Sequence, residues 1–416
     1  MHKSVLILAA PFPGYYLTGF RNWLLEGTQP DGMPAVVHFI KGLSSHGYRV
    51  HVTLPVFNHN YSCKPIVRES NIVVHSYSIP SLFFPLVRLL RRKGHVVLNI
   101  VFIMLTLFFS FSFHKRSANR CKPKFIYQLG YNIWLGHFLS KSTGYPLIYR
   151  LFGTTLGSKL DRKLNLMQKL RHLPELFIFR RPGKLIVMSN DGTRGGSVMK
   201  RFGVPSSKQL FLLNGIVTSN YGKTDIDLRE NVPRNGFLIV ALARLAWWKG
   251  VDRIIRAFPE LLKKNSKIRL TILGDGYQRK FLEQLVKDLG VEHAVRFYGQ
   301  IPNEVVVDTL SQADVFVSTQ YISNLSNCLL EAIVAGCVIV SLADGSLDGL
   351  LQDGENAILL NPEDVEKTLP GVLDKLSRNK KFYHSLKSRI LRKRGELRSW
   401  PERIAYELQV IKHCIR

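Results

Sequence analysis

Short apolar runs alternate with helix-period amphipathic runs between Ile239 and Leu360 of this chain. Such alternation is typical of βαβ units, which build a parallel sheet. In these sheets ligands bind where strands end and helices begin. The pattern therefore predicts an α/β fold and the edge of the sheet that carries function. The predicted strands are Phe237–Ala243, Arg269–Leu273, Ala294–Phe297, Val315–Ser318 and Val338–Ser341, and the predicted helices are Asp252–Leu262, Gln278–Leu289, Glu304–Gln312 and Asn327–Ala335.

Charged residues stand at two of these strand ends. Arg244 directly follows the first strand, and Lys249 lies in the turn before the next helix. A guanidinium fork beside an ammonium group suits a diphosphate. The polar segment 323–327 precedes the helix that carries Glu331, so helix N-terminal amides and a carboxylate would face the same region. These residues predict a site for a diphosphate attached to a group with hydroxyls.

The stretches that carry these residues resemble a known family. They are ARLAWWKGVD, ILGDGYQRKFLEQL, VRFYGQIP, ADVFVS, LEAIVAGCVIVS and DGENAILL, and in this order they resemble the donor-binding half of family-4 retaining glycosyltransferases (glycosyl transferases group 1). The resemblance implies the GT-B fold, in which two Rossmann-like, doubly wound parallel-sheet domains flank a cleft. It also implies that Arg244 and Lys249 bind a nucleotide diphosphate and that Glu331 binds the ribose hydroxyls.

Two positions depart from the family pattern. Ser323 stands where the family usually has the first glutamate of a Glu-x7-Glu pair, which contacts the transferred sugar. Phe152 stands beside Gly153 in place of an active-site histidine, and the nearby Arg150 lies on a predicted strand. Polar neighbours of Ser323 are expected to contact the sugar instead. The full set of expected donor-binding residues is Gly32, Gly299, Ser323, Asn324, Leu325, Ser326 and Asn327.

A chain of 416 residues has room for two domains of about 200 residues each. We expect an acceptor-side domain over 1–217, a polar linker over 218–235 and the donor domain over 236–397. Residues 398–416 resemble the family's closing helix, which packs back on the first domain. In that first domain we expect strands at Ser4–Ala10, Tyr48–Leu54, Ile72–Tyr77, Phe125–Leu129, Leu147–Leu151 and Lys184–Ser189 and a helix at Ala35–His46. The long aromatic connection Gly14–Gly32 is a candidate contact for the acceptor.

Positive charge is concentrated in the N-terminal half. Up to Val217 there are 29 Lys and Arg against 6 Asp and Glu, a net charge of +23, whereas the remainder has 29 against 24. Such asymmetry indicates an anionic partner. Because no nucleic-acid recognition motif accompanies it, we expect an anionic membrane surface and no nucleic acid.

The apolar run Val96–Phe113 lies between the basic clusters Arg91–Lys93 and Lys115–Arg116. Its eighteen residues reach the threshold length for a membrane span. Spanning is disfavoured, since strands of one sheet are predicted on both sides of the run. Two interpretations remain open: a buried core helix, or a helix lying in the membrane interface, which the basic flanks favour.

The cysteines, two linker aspartates and a glycine motif indicate which compartment and which cofactors to expect. The five cysteines are odd in number and scattered, which indicates a reducing compartment, and we expect a cytoplasmic protein peripheral to the inner membrane face. Asp225 and Asp227 lie in the polar linker, so we interpret them as solvated charge and expect no essential metal. Gly274-Asp275-Gly276 lacks the third glycine of a dinucleotide fingerprint.

The sequence thus predicts a retaining, metal-independent glycosyltransferase. It would move a sugar from a nucleotide diphosphate sugar to a glycan or lipid-linked acceptor, in cell-surface polysaccharide or glycolipid synthesis. Alternatives are a non-catalytic membrane-associated scaffold with a degenerate donor site, and a nucleotide-sugar epimerase or phosphorylase of the same fold.

Overall fold

The structure is a computed structural model. Its chain divides into two compact units, of which the first contains the described residues up to Asn214 together with Trp400–Arg416, and the second contains Gly215–Ser399. The described residues are 3–9, 15–28, 34–56, 65–69, 71–78, 96–130, 133–154, 156–157, 163–189, 194–217 and 222–416.

Unit 1 is built on an eight-stranded sheet of order β3-β4-β2-β1-β5-β6-β7-β8, parallel except for β3. Apolar side chains of alternating strand positions enter two separate cores, one on each face of the sheet. The strands are β1 (Lys3–Leu8), β2 (Tyr48–Val56), β3 (Ile66–Arg68), β4 (Ile72–Ser78), β5 (Ile126–Leu129), β6 (Leu147–Leu151), β7 (Leu185–Ser189) and β8 (Gln209–Leu212). The helices are α1 (Tyr15–Glu26), α2 (Pro34–Ser45), α3 (Val96–Cys121), α4 (Ile133–Thr143), α5 (Leu166–Arg171), α6 (Leu173–Arg180), α7 (Gly195–Arg201) and, at the C-terminus, α14 (Trp400–Ile415).

Unit 2 is built on a six-stranded parallel sheet of order β11-β10-β9-β12-β13-β14. Its strands are near-continuous apolar runs because helices cover the sheet. The strands are β9 (Phe237–Leu242), β10 (Ile268–Leu273), β11 (Val295–Gly299), β12 (Val315–Val317), β13 (Val338–Leu342) and β14 (Ile358–Leu360). The helices are α8 (Val251–Lys264), α9 (Arg279–Asp288), α10 (Val306–Ser311), α11 (Asn327–Ala335), α12 (Val365–Arg378) and α13 (Lys380–Arg394).

Every strand predicted from the sequence is present, with ends that differ by at most two residues. The prediction of a long loop over Gly14–Gly32 was wrong where the structure describes this segment, because α1 occupies most of it. Phe20 and Leu24 on α1 are fully buried, so part of its aromatic and apolar character serves the core. Gly32 itself lies outside the described residues, as do Arg91–Lys93.

Helix α3 contains the apolar run and is only partly buried. Ser110, His114 and Ala118 face inward, and neighbouring apolar residues join the core. Its opposite side is exposed: Phe108 is 77% accessible and Met104 is 55% accessible. Where its side chains are described, the run is therefore a core helix on one side only, and the membrane-interface interpretation stays a prediction. Among the residues that the structure describes, none of the helices has both the length and the apolar character that a membrane span requires.

Helix α14 is held in unit 1 by a buried ionic cluster. Glu407 is fully buried and accepts a hydrogen bond from the Tyr127 hydroxyl at 2.5 Å. It also pairs with Arg403 on the same helix and lies 3.8 Å from the guanidinium of Arg150 on β6. Arg150 is 1% exposed, so it faces the interior rather than an acceptor. One carboxylate thus balances two buried guanidinium groups.

Removing this carboxylate should be costly. We expect Glu407→Gln to destabilise the protein by about 3–5 kcal/mol, because it leaves two buried cations without their anion. Urea unfolding, followed by circular dichroism, measures the change. The matched control is Glu396→Gln, which breaks an exposed pair with Lys393 and should cost less than about 1 kcal/mol. Equal effects of the two variants would contradict a structural role for the cluster.

Candidate functional site

The order of strands in unit 2 reverses at β9. From β9 the chain moves outward through β10 to β11, and it then returns to β12 on the other side of β9 before continuing to β13 and β14. A crevice forms at the carboxyl ends of two such central strands, and ligands of doubly wound sheets bind there. Arg244 and Lys249 follow β9, while residues 323–327 and Glu331 follow β12. The structure therefore brings both predicted groups to this switch point.

Close backbone contacts join the two loops that follow β9 and β12. Gly250 has φ +63°, and a Cβ atom there would lie 2.1 Å from the Thr319 carbonyl oxygen. Only glycine allows this approach. The Thr319 hydroxyl donates to the Gly250 carbonyl at 2.8 Å, and the Tyr321 amide donates to the Trp248 carbonyl at 2.9 Å. These bonds fix the loops against each other at the switch point.

The Lys249 side chain crosses this junction. Its ammonium donates to the Gln320 side-chain oxygen at 2.8 Å. Burial, with a further contribution from the charge of Arg244, lowers the pKa of Lys249 from its usual value. An anion bound here would offset both the cost of burying the ammonium and its repulsion by Arg244. Arg244 is exposed, so the pair offers one half-buried and one exposed cation.

Asn324 has a different role from the predicted sugar contact. Its side chain is fully buried, and its oxygen accepts hydrogen bonds from the Gln320 amide and the Ser318 hydroxyl. Its nitrogen donates to the Asp344 carboxylate and to the Gln320 carbonyl. These four bonds use the full capacity of an asparagine amide. Asn324 thus positions the loop after β12 and ties it to the loop after β13.

The other predicted donor-binding residues surround the start of α11. Ser326 caps the helix, and its hydroxyl accepts from the Leu329 amide at 3.3 Å. Ser323 is half-buried, and within the described part of the chain its hydroxyl has no hydrogen-bond partner. The Leu325 side chain is buried, so only its backbone could contact a ligand, while Asn327 is half-buried on the first helical turn. The positive end of the α11 dipole favours an anion near these residues.

Glu331 lies on α11 one turn after its start. Burial raises the pKa of its carboxyl group to about 7. The carboxylate is therefore held in an environment that disfavours its charge, as is the ammonium of Lys249. Both groups influence the pKa of the Cys328 thiol, which is raised chiefly by burial. Cys328, on the first turn of α11, is thus within electrostatic reach of both Lys249 and Glu331.

The glycines at the end of β10 and β11 serve close packing. Gly274 has φ +113° and lies against the Ala243 carbonyl, and its amide donates to the Gly299 carbonyl at 2.7 Å. Gly276 approaches the Leu245 carbonyl equally closely. Gly299 itself has φ +97°. These contacts explain Gly274-Asp275-Gly276 without a dinucleotide, and they place Gly299 at the same carboxyl edge as Arg244.

Asp225 and Asp227 are both exposed on unit 2, away from any strand end. One carboxylate oxygen of Asp227 accepts from the Arg229 amide at 2.7 Å, so this segment forms a local turn. In the described residues there is no group of three or more His, Cys, Asp or Glu side chains that could hold a metal ion.

Several residues that contact the site residues lie outside the motifs and were not predicted from the sequence. Gln320 orients Lys249, and nothing in its local pattern indicates this because the contact spans 71 positions of sequence. An aromatic group also borders the site: Trp247 is 53% exposed, 6.3 Å from the ring of Tyr321, over which Arg253 stacks. The paired tryptophans of WWKG were a visible signal for this exposed aromatic surface.

The C-terminal part of the chain matches a known family. Residues 223–392 match the family model described as glycosyl transferases group 1. An uncharacterized glycosyltransferase of Methanocaldococcus jannaschii is 29% identical over 178 residues, which cover 41% of this chain and 45% of that protein. A GDP-mannose-dependent phosphatidylinositol monomannoside mannosyltransferase of Mycolicibacterium smegmatis is 31% identical over 147 residues, or 34% of this chain and 38% of that protein. The chain thus matches less than half of the length of these relatives.

Solved structures extend the likeness to the whole chain. The Anabaena protein HepE, solved in complex with UDP, superposes with a TM-score of 0.69 over 99% of this chain and 100% of its own, at 15% identity. HepE has also been solved with UDP-glucose. At this identity the likeness establishes the fold alone. The fold is GT-B, as the sequence predicted.

The raised pKa of Glu331 predicts a pH-dependent effect on stability. Between about pH 4.5 and 7 the folded protein retains a proton that the unfolded chain releases, so the free energy of unfolding falls as pH rises. Glu331→Gln removes this titration. We expect the free energy of unfolding of the variant to rise relative to that of wild type as pH increases across this window. The difference should level off above the window, after a change on the order of 1–3 kcal/mol. Urea unfolding of both proteins from pH 5 to pH 8 gives the difference, and a constant difference would contradict the raised pKa.

Proposed function

We propose that the protein transfers a sugar from a nucleotide diphosphate sugar to an acceptor, since residues 223–392 match the family model described as glycosyl transferases group 1. The single observation that carries the proposal is that Lys249 and Glu331 follow the two central strands of unit 2 at its switch point, each with a pKa that burial shifts against the charged form. Ionisable groups with pKa values shifted by burial at the ligand-binding edge of such a sheet are candidates for a functional site.

Each residue of the site has a role in this proposal. The diphosphate is bound by Lys249, Arg244 and the N-terminal amides of α11, which together stabilise the charge that develops on the leaving group. Glu331 accepts hydrogen bonds from the ribose hydroxyls of the donor. Uridine is the first base to test, since HepE was solved with UDP and UDP-glucose.

We propose that transfer retains the configuration of the sugar and needs no metal. Two cations and a helix N-terminus already supply the positive charge that a divalent ion provides in other transferases. Ser323, at the position of the family's sugar-contacting glutamate, has its hydroxyl without a partner among the described residues and is available to the sugar. Ser326 and Asn327 complete the proposed sugar contacts.

We propose that the acceptor is a glycan or a lipid-linked glycan and that the protein works in the cytoplasm, peripheral to the inner face of an acidic membrane. The support is the net charge of +23 in the residues up to Val217. The names of relatives such as the mannosyltransferase of M. smegmatis agree with synthesis of a glycolipid or polysaccharide.

Binding of UDP tests the donor site directly. We expect UDP at 100 times its dissociation constant to stabilise wild type by about 2.7 kcal/mol. Arg244→Ala or Lys249→Ala should raise the dissociation constant by about 10–100-fold, since a charge-assisted hydrogen bond contributes about 1.5–3 kcal/mol. Isothermal titration calorimetry measures the constants, and a thermal-shift screen of nucleotide sugars then identifies the sugar.

The matched control is Lys263→Ala, which removes an exposed cation of α8 from the same unit and should leave UDP affinity unchanged. The same titrations in EDTA should give the same constants. If Arg244→Ala and Lys249→Ala bind UDP like wild type, the donor site has been placed wrongly. Loss of binding in EDTA that manganese restores would instead assign a metal to the reaction.

A further inference from the structure

The exposed side of α3 is apolar in one half and cationic in the other. Val101, Met104, Phe108 and Phe109 are 40–77% accessible, and they are followed along the same side by Lys115, Arg116 and Arg120, which are exposed too. We call these seven residues the outer stripe. Its apolar part spans about 12 Å of helix axis, and the first cation lies about 9 Å further on. The polarity therefore changes along the axis and not around the helix.

Packing fixes which side of α3 is outward. Ser110, His114, Ser117 and Ala118 are buried against unit 1, and Leu107 and Phe111 join the same core. At 100° per residue the four buried positions lie opposite the outer stripe, and Leu107 and Phe111 lie beside them. The helix cannot rotate to bury its phenylalanines without exposing this inner side. The outer stripe is thus a fixed surface feature.

Neighbouring helices continue the same chemistry. Helix α3 packs against α4 and α5. On α4, Phe138 is 47% exposed and Lys141 is exposed, and on α5, Leu166 and Met167 are 73% and 63% exposed beside exposed Lys169 and Arg171. Large exposed apolar patches of this kind mark interaction surfaces.

Charge decides between the candidate occupants. A second copy of the chain would bring its own cations to this surface, because the residues up to Val217 carry 29 Lys and Arg against 6 Asp and Glu. Like charges would then oppose each other across the contact. Nucleic acid would supply anions for the cations of the outer stripe, but it has little apolar surface to cover the apolar part. An acidic bilayer offers hydrocarbon and anionic headgroups at different depths, which matches the two halves of the outer stripe.

We infer that α3 docks obliquely on an acidic bilayer, with the side chains of Val101, Met104, Phe108 and Phe109 dipping below the headgroups and those of Lys115, Arg116 and Arg120 remaining at their level. This inference deepens the proposed function, since it names the surface by which the protein would meet a membrane-bound acceptor. It does not depend on donor binding, so the two can fail separately.

Co-sedimentation with vesicles tests the surface. Wild type should bind phosphatidylcholine vesicles that contain phosphatidylglycerol, and it should bind less at high salt, where screening shortens the reach of the cations. The double variant Phe108→Asp, Phe109→Asp should reduce the partition coefficient at least about tenfold, because two phenyl rings leave the hydrocarbon. The triple variant Lys115→Gln, Arg116→Gln, Arg120→Gln should reduce it about fivefold per residue, and only on the acidic vesicles.

Matched controls separate the outer stripe from general effects. Val67→Asp and Phe211→Asp change apolar residues of β3 and β8 that are 62% and 45% exposed, and they should not alter binding. Lys280→Gln, Lys380→Gln, Lys381→Gln removes three exposed cations from unit 2 and should have little effect. Circular dichroism and UDP affinity should be unchanged in every variant. Leu107→Asp, on the inner side of α3, should instead destabilise the fold.

Depth measurements test the oblique orientation. A fluorophore on Met104→Cys should be quenched by a nitroxide in the acyl chain, and one on Asn119→Cys only by a nitroxide on the headgroup, with labelled wild type as background. Equal quenching at the two positions would overturn the oblique geometry. The surface itself would be overturned by wild type that stays in the supernatant, by stripe variants that bind normally, or by a wild-type dimer that these variants dissociate. UDP binding that persists in those cases would leave the proposed donor site intact.

Discussion

The site of unit 2 depends on one close backbone contact, between Gly250 and the Thr319 carbonyl. It joins the loops that follow the two central strands, and no side chain at position 250 would permit it. The contact places Lys249 within 2.8 Å of Gln320, and Asn324 then fixes Gln320 through its amide and carbonyl. A cation from one loop is thus held by an amide from the other. The close backbone contact brings the two loops together, and side-chain hydrogen bonds then fix them in place.

Much of this arrangement was predictable from local pattern. Apolar runs of strand length alternate with amphipathic helices, and because carboxyl ends of parallel strands share an edge, Arg244, Lys249 and Glu331 were expected together. The start of α11 was also predictable, since Ser326 precedes an apolar helical run. The strands β3 and β14 were not predicted from the sequence, although β12, also of three residues, was.

The remaining features depend on contacts between distant residues. Asn324 looks like a ligand-binding residue in a polar loop, but Asp344, twenty positions later, makes it a structural bridge. Arg150 looks available beside Gly153, but Glu407 from the far end of the chain holds it in the interior. The outer stripe of α3 became visible only once packing showed which side of the helix is buried. Periodicity alone cannot reveal this, because almost every residue of the run is apolar.

The cost of burying charged groups at the site also disfavours the alternative of a non-catalytic scaffold. Lys249 and Glu331 both sit where burial disfavours their charged forms, so each reduces the stability of the ligand-free protein. A scaffold with no ligand here would be more stable with apolar residues of similar size at both positions. A donor would reverse the cost, since its diphosphate compensates the ammonium and its hydroxyls compensate the carboxylate. Ser323 and Phe152 depart from the family pattern, but they leave this reciprocal compensation in place. This compensation favours a working donor site over a degenerate one.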